Sequence, residues 1–350
     1  MKALRSLILG GLLAATIGAA CAADATIIVS GSGGTLTDVQ KSIFQEPFTA
    51  KTGIQVENIA TTSRVSALKA MKMTGSAQWD VTELTGSDFQ QAANAGYLEP
   101  IDWNVVDPKH QMPEIARQEY GLAAGSYSTI IGVRTDKLPP GKQMTSWKDF
   151  WDVKTFPGPR ALQNGALDNL EFALLADGVS KDKIYEVLRT DEGIDRAFKK
   201  LDEIKPSIVS WWKAGAQPVQ MLANGEVFYT SAWNGRITKL AADGVPAAIV
   251  WNEGSLKPSY ECIPVGAQHR KEALEYLAFL IADAKMNANF AMQMPYPGFV
   301  PGMFDFMPID AAKTMPTYAP NQAVQFASDN SFWVDRRDKL NERWEAWLLK

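Results

Sequence analysis

Cysteine and histidine are nearly absent from this chain: its 350 residues include two of each, Cys21 and Cys262, His110 and His269. No H-E-x-x-H occurs, and so few nitrogen and sulfur ligands cannot build a zinc hydrolase centre. A Ser-His-Asp triad would have to recruit one of two histidines. Both lie in polar loops, Pro-Lys-His-Gln and Gln-His-Arg, and read as solvent-exposed. No G-x-S-x-G elbow occurs either. An excess of basic residues is missing too: 35 Lys and Arg stand against 39 Asp and Glu, a formal net charge of −4. That balance argues against a nucleic-acid partner. Beyond the N-terminal leader no apolar run approaches the roughly 18 residues of a membrane-spanning helix.

What is present begins with a leader. Lys2 and Arg5 precede an apolar run over 7–20, and small residues around Cys21, Ala22 and Ala23 offer cleavage sites. Residues 1–23 read as a secretory signal peptide, with a lipoprotein anchor on Cys21 as the competing reading, against which Gly18 stands where a lipobox carries leucine. Cleavage would leave Cys262 alone, hence no intramolecular disulfide, and would shift the charge to about −6. A mature chain of roughly 325 residues exceeds one compact core, so two domains are expected.

Strand-like and helix-like segments then alternate, the pattern of an α/β protein with largely parallel sheets. Strands are expected over 26–29, 55–59, 80–84, 128–134, 227–231 and 247–251. Helices are expected over 36–52, 65–74, 88–95, 167–176, 181–189, 193–200, 214–223, 234–243, 271–282 and 337–349. The segment 27–48, IIVSGSGGTLTDVQKSIFQEPF, sets the first strand against a Ser/Gly loop and a helix. It fails as a dinucleotide fingerprint, because Leu36 takes the third glycine position, and no Gly-Lys-Ser/Thr follows for a P-loop. What remains is a loop whose backbone N–H groups approach a small ligand at a helix start, or a turn without a ligand.

The ordered segments EPFTAKTGIQVE, WDVTELTGSDFQQAANAGYLEPID, TSWKDFWDVKTFPGPRAL, WWKAGAQPVQMLANGEVFYTSAWNGR and MPYPGFVP resemble the periplasmic solute-binding proteins of ABC importers, in the spermidine/putrescine-binding branch. The resemblance implies a type II two-lobed clamshell, each lobe a mixed sheet flanked by helices, with two interlobe crossings. Residues 24–128 and 252–350 would form the first lobe and 129–251 the second. It further implies no catalysis, no metal and no cofactor. A monomer in the periplasm would take a small amine into the cleft and deliver it to a permease in the inner membrane.

Carried over residue by residue, the resemblance puts Ser32 and Gly33 in one wall, Thr85 and Ser87 in the next contact loop, and Tyr127 at the first crossing. Asp168 and Glu171 match the acids that hold a polyamine ammonium, and Trp211, Trp233 and Tyr296 match aromatic walls. One position departs: where polyamine binders usually carry an aspartate there is Ser259, with Lys257 and Glu261 nearby.

The residues themselves support an amine. Eleven tryptophans are many for such a chain, and an indole face attracts an ammonium by roughly 0.5–2 kcal/mol. Their competing role is core and interlobe packing; Asp168 has helix capping as its alternative, and Glu171 a solvated face. As a carboxylate pair for glycosidic chemistry, Asp168 and Glu171 have only their spacing to recommend them. Arg236, which follows Trp233-Asn234-Gly235, would hold a carboxylate bidentately if it points inward and form an interlobe salt bridge if it points out. The leading expectation is therefore a polyamine such as putrescine or spermidine. A zwitterion such as 4-aminobutyrate is the alternative, and an exported hydrolase the reading from another class.

Overall fold

Two long strands carry the architecture. A computed structural model describes residues 25–61 and 63–350, and the expected leader and its cleavage site lie outside the described residues. The strands are β1 (Thr26–Gly31), β2 (Gln55–Ala60), β3 (Val81–Thr85), β4 (Gly121–Arg134), β5 (Arg160–Gln163), β6 (Ile208–Trp212), β7 (Tyr229–Trp233) and β8 (Ala247–Pro264). They join in one sheet of order β2-β1-β3-β8-β4-β7-β5-β6. Three two-residue strands, Leu98–Glu99, Arg117–Gln118 and Phe326–Ala327, attach to β4 and β8.

β4 and β8 pair antiparallel from Ala247↔Arg134 to Glu261↔Leu122. β3 joins this ribbon on Ser259–Cys262, near one end, and β7 joins it on Thr129–Val133, near the other. The parallel wings β2-β1-β3 and β7-β5-β6 thus hang from opposite ends of an antiparallel centre. The sheet is mixed and continuous, where the alternating pattern suggested mostly parallel sheets. Strands were expected over 128–134 and 247–251 only, and Gly, Ser, Pro and Lys interrupt the apolar pattern beyond those bounds. Cross-strand hydrogen bonding nevertheless extends them to Gly121 and Pro264. The ribbon bends where residues 251–254 oppose Ile130 alone and again at Ala124, as bulges do.

Each wing has its own apolar core. Ile27, Val29, Phe48, Leu68, Val81 and Leu277 gather around the first; Trp147, Phe150, Leu170, Phe172 and Leu201 gather around the second. The C-terminal helix Asn330–Leu348 was expected with the first lobe. Its stripe of Trp333, Leu340, Trp344 and Trp347, spaced seven, four and three residues apart, packs into the second core, because helical periodicity aligns those four side chains on one face. Arg337 on the same helix reaches back to Ser87 and Asp88 beside the first wing.

The helix expected over 36–52 runs from Gly34 to Thr52 with a wider turn at Lys41–Gln45 just before Pro47. That turn aims Phe44 at Phe290, their rings 5.2 Å apart.

Candidate functional site

A cavity of about 260 Å³ opens where the first wing meets the ribbon. Strand alternation sends every second side chain to one face, so Glu83 and Thr85 of β3, Gly125 and Tyr127 of β4, and Ser259 and Glu261 of β8 share its floor. Leu36 and Phe44 from Gly34–Gln45, Tyr276 and Leu280 from helix Arg270–Leu280, and Asn287 and Phe290 from helix Ala284–Gln293 form its roof. Trp233, at the end of β7, and Tyr296 close the side toward the second wing.

The floor is acidic. Glu261 stands opposite Glu83 in the antiparallel register. Like charges so placed repel, and burial adds to the cost of ionisation. Burial first, and Glu83 second, push the Glu261 carboxyl well above the usual carboxylate range, while Arg64 pulls it back. Glu261 is 8% exposed, and its Oε2 is buried with no hydrogen-bond partner. A buried, unmatched acceptor beside a second carboxylate has the chemistry to accept a hydrogen-bond donor or a cation.

The facing wall is aromatic and carries a cation. Tyr127 and Trp233 meet edge to face, centroids 6.0 Å apart, and Trp233 leans in the same way on Trp212. Burial pushes the Tyr127 hydroxyl up, with Asp168 adding to it. The Arg236 guanidinium lies 5.5 Å over the Trp233 ring. Burial raises the Tyr296 hydroxyl and the nearby Arg236 lowers it. Arg236 is exposed and has no salt-bridge partner among the described residues, so the interlobe salt bridge considered for it does not form. Gly215 makes the stacking possible, since a Cβ there would fall on the Trp233 ring and 2.9 Å from Arg236 Nε.

Of the residues singled out in the sequence, Thr85, Tyr127, Trp233, Ser259 and Tyr296 line this cavity, and Arg236 stacks on its wall. Six do not line it. Ser32 is exposed and accepts a hydrogen bond from Arg64 Nη2 at 3.0 Å. Gly33, at φ +74, precedes the first helical turn, and its missing Cβ would sit 3.0 Å from Ala60. Ser87 is held by Arg337. Trp211 packs edge-on against Trp344 and Trp347 in the second core.

The two acids expected to hold an ammonium are both engaged inside the protein. Asp168 Oδ2 accepts from Lys257 Nζ at 2.8 Å, with both side chains buried. Glu171 is wholly buried, and its Oε1 accepts from Trp333 Nε1 at 2.7 Å and from the Tyr185 hydroxyl at 2.9 Å. Burial, then the charge of Asp168, push its carboxyl up to about 7. Glu83 was missed in the sequence and Glu261 was noted only as a neighbour of Ser259. A usable signal existed for the second: Lys257, Ser259 and Glu261 are two apart in one strand and must share a face.

Residues 44–318 match the family described as bacterial extracellular solute-binding protein. The chain belongs to that family. A gamma-aminobutyric acid-binding protein of Pseudomonas aeruginosa is 36% identical over 333 residues, covering 95% of this chain and 93% of that protein. The solved structure of an ABC transporter substrate-binding protein from Bradyrhizobium japonicum is 32% identical, with a TM-score of 0.82, covering 92% of this chain and 99% of that one. A structure described as the Atu4243-GABA receptor is 34% identical, with a TM-score of 0.80 over 92% of this chain and 97% of that one. The fold is therefore the mixed α/β periplasmic-binding-protein fold, and the chain is a solute-binding protein of the ABC-transporter kind, not an enzyme. The expected solute-binding family is thereby found at its broader level, and the comparisons do not single out the spermidine/putrescine branch; two of the relatives above are named for gamma-aminobutyric acid.

Proposed function

We propose that this solute-binding protein captures a short zwitterionic amine, an ω-amino acid such as 4-aminobutyrate, and presents it to an ABC permease. The observation that carries the reading is the pairing of opposite charges about the cavity: the Glu83/Glu261 pair lies on its floor, and the exposed guanidinium of Arg236, outside the lining and without an ion pair among the described residues, stacks on the ring of Trp233 that closes its side. The ammonium would sit on the acids, the methylenes against Tyr127 and Trp233, and the carboxylate on Arg236, which suits bidentate pairing. The gamma-aminobutyric acid-binding relatives support the same choice. The polyamine reading loses its main support, because Asp168 already has an ammonium partner in Lys257.

In this reading the protein works as an exported monomer. The wings move as lobes about the bulged β4–β8 ribbon, a hinge closure of the periplasmic-binding-protein kind. Calorimetry and thermal shift with 4-aminobutyrate, butyrate, n-butylamine, putrescine and spermidine test it. At 100 Kd the bound solute should stabilise the chain by about 2.7 kcal/mol. Equal binding of n-butylamine and 4-aminobutyrate would show that no group reads the carboxylate and would end the proposal.

A further inference from the structure

Lys257 is an amine held inside the protein, and its surroundings have the chemistry of an amine receptor. Its Nζ donates to Asp168 Oδ2 at 2.8 Å, Thr129 Oγ1 at 2.8 Å and Ser255 Oγ at 3.0 Å, and lies 5.5 Å from the centre of the Tyr127 ring. One carboxylate, two hydroxyls and a π face satisfy all that an ammonium can donate. Asp168 holds its place with φ +70, rare for a residue with a side chain, and its Oδ1 is buried with no hydrogen-bond partner. This cage adjoins the cavity: Tyr127 is a wall of both, and Ser259, the next residue on the same face of β8, lines the cavity.

We propose that Lys257 is a specificity-determining residue, a tethered ammonium that fills a second amine position and so restricts the protein to solutes with one ammonium group. The inference rests on the reading of the neighbouring cavity as the solute site. A linear diamine or triamine entering that cavity with one ammonium on Glu83 and Glu261 would direct its second at a fixed positive charge already bound to the carboxylate of the cage, Asp168. Discrimination of this sort comes from a built-in repulsive element as much as from attraction to the preferred solute.

Lys257→Ala tests this, because the atoms it removes beyond Cβ amount to n-propylammonium. Wild type and variant are titrated with putrescine, spermidine and n-propylammonium, and with 4-aminobutyrate in parallel. The expected result is that at least one polyamine binds the variant tenfold or more tighter than wild type. n-Propylammonium should raise the Tm of the variant more than that of wild type. Adding Asp168→Asn to the variant should erase both gains. Unchanged polyamine affinity, or a gain that survives Asp168→Asn, overturns the proposal.

If Lys257→Ala does not fold unaided, it is refolded from urea with putrescine, with spermidine, or with sodium chloride of equal ionic strength. Recovery with a polyamine alone supports the cage, and equal failure in all three overturns it. A wild-type protein that takes no 4-aminobutyrate, beside a variant that gains polyamine, would refute the proposed solute and leave the cage standing. The reverse pattern refutes the cage only.

Discussion

Glu261 of β8 faces Glu83 of β3 directly across the antiparallel ladder, one of the costliest placements for two carboxylates in a sheet. The pair has a consequence for binding. With its carboxyl pushed up by burial and by Glu83, Glu261 should hold a proton that the ammonium of the proposed solute displaces. Solute affinity should therefore fall as pH drops, and binding near neutral pH should release protons. Calorimetry in buffers of different ionisation enthalpy will show this as a buffer-dependent heat. In Glu261→Gln the buffer dependence should vanish and affinity should drop at least tenfold, about 1.4 kcal/mol or more. Identical heats in all buffers for the wild type would refute the linkage.

Arg236 should govern the carboxylate end alone. Arg236→Gln is expected to weaken 4-aminobutyrate by roughly ten- to a hundredfold, the scale of a lost charged hydrogen bond, while leaving the weak binding of n-butylamine unchanged. A parallel loss for both solutes would assign Arg236 to packing on Trp233.

Trp233 is positioned by a neighbour with no side chain. Gly215 has φ −61 and ψ −13, a backbone conformation alanine adopts freely. Gly215→Ala therefore carries no backbone penalty, yet its Cβ would meet the Trp233 ring and Arg236 Nε. The expected outcome is a well-folded variant with tenfold or greater loss of solute affinity and altered tryptophan fluorescence. Trp233→Ala should lose affinity to a similar extent. Unaltered affinity in Gly215→Ala would show that the wall tolerates displacement.

Which parts of this site could be read in the sequence follows from what local pattern encodes. The starts of β1, β2 and β3 were legible to within a residue because β-branched residues follow closely on Asp24, Gly53 and Asp80. β5 and β6 were not: Arg160–Gln163 mixes charge with apolar residues, and Ile208–Trp212 reads equally as a turn beside two tryptophans. Tyr127, Trp233 and Tyr296 were found through resemblance. The Glu83–Glu261 contact was hidden because it depends on β3 pairing with a strand far along the chain, a register that no local spacing reveals. The Lys257–Asp168 pair was hidden for the same reason, 89 residues separating its members. Trp211 misled because an indole at a strand end looks alike whether it faces a ligand or the C-terminal helix.

Glu171 makes the last prediction, one about stability. Its carboxyl, raised to about 7 by burial and by Asp168, is wholly buried. A raised carboxyl keeps its proton in the folded chain where the unfolded chain has released it. Its contribution is thus fully present below the ordinary glutamate range and is lost as pH rises from about 4.5 to about 7. The loss amounts to about 3 kcal/mol across that window. Glu171→Gln keeps an acceptor for Trp333 and Tyr185 and carries no charge, so it should remove this slope. Urea denaturation at pH 5 and pH 8 decides the matter: the variant should gain roughly 2–3 kcal/mol on the wild type between the two. Parallel pH profiles would mean that Glu171 ionises in the core without cost, and that the hydrogen bonds from Trp333 and Tyr185 suffice to hold its charge.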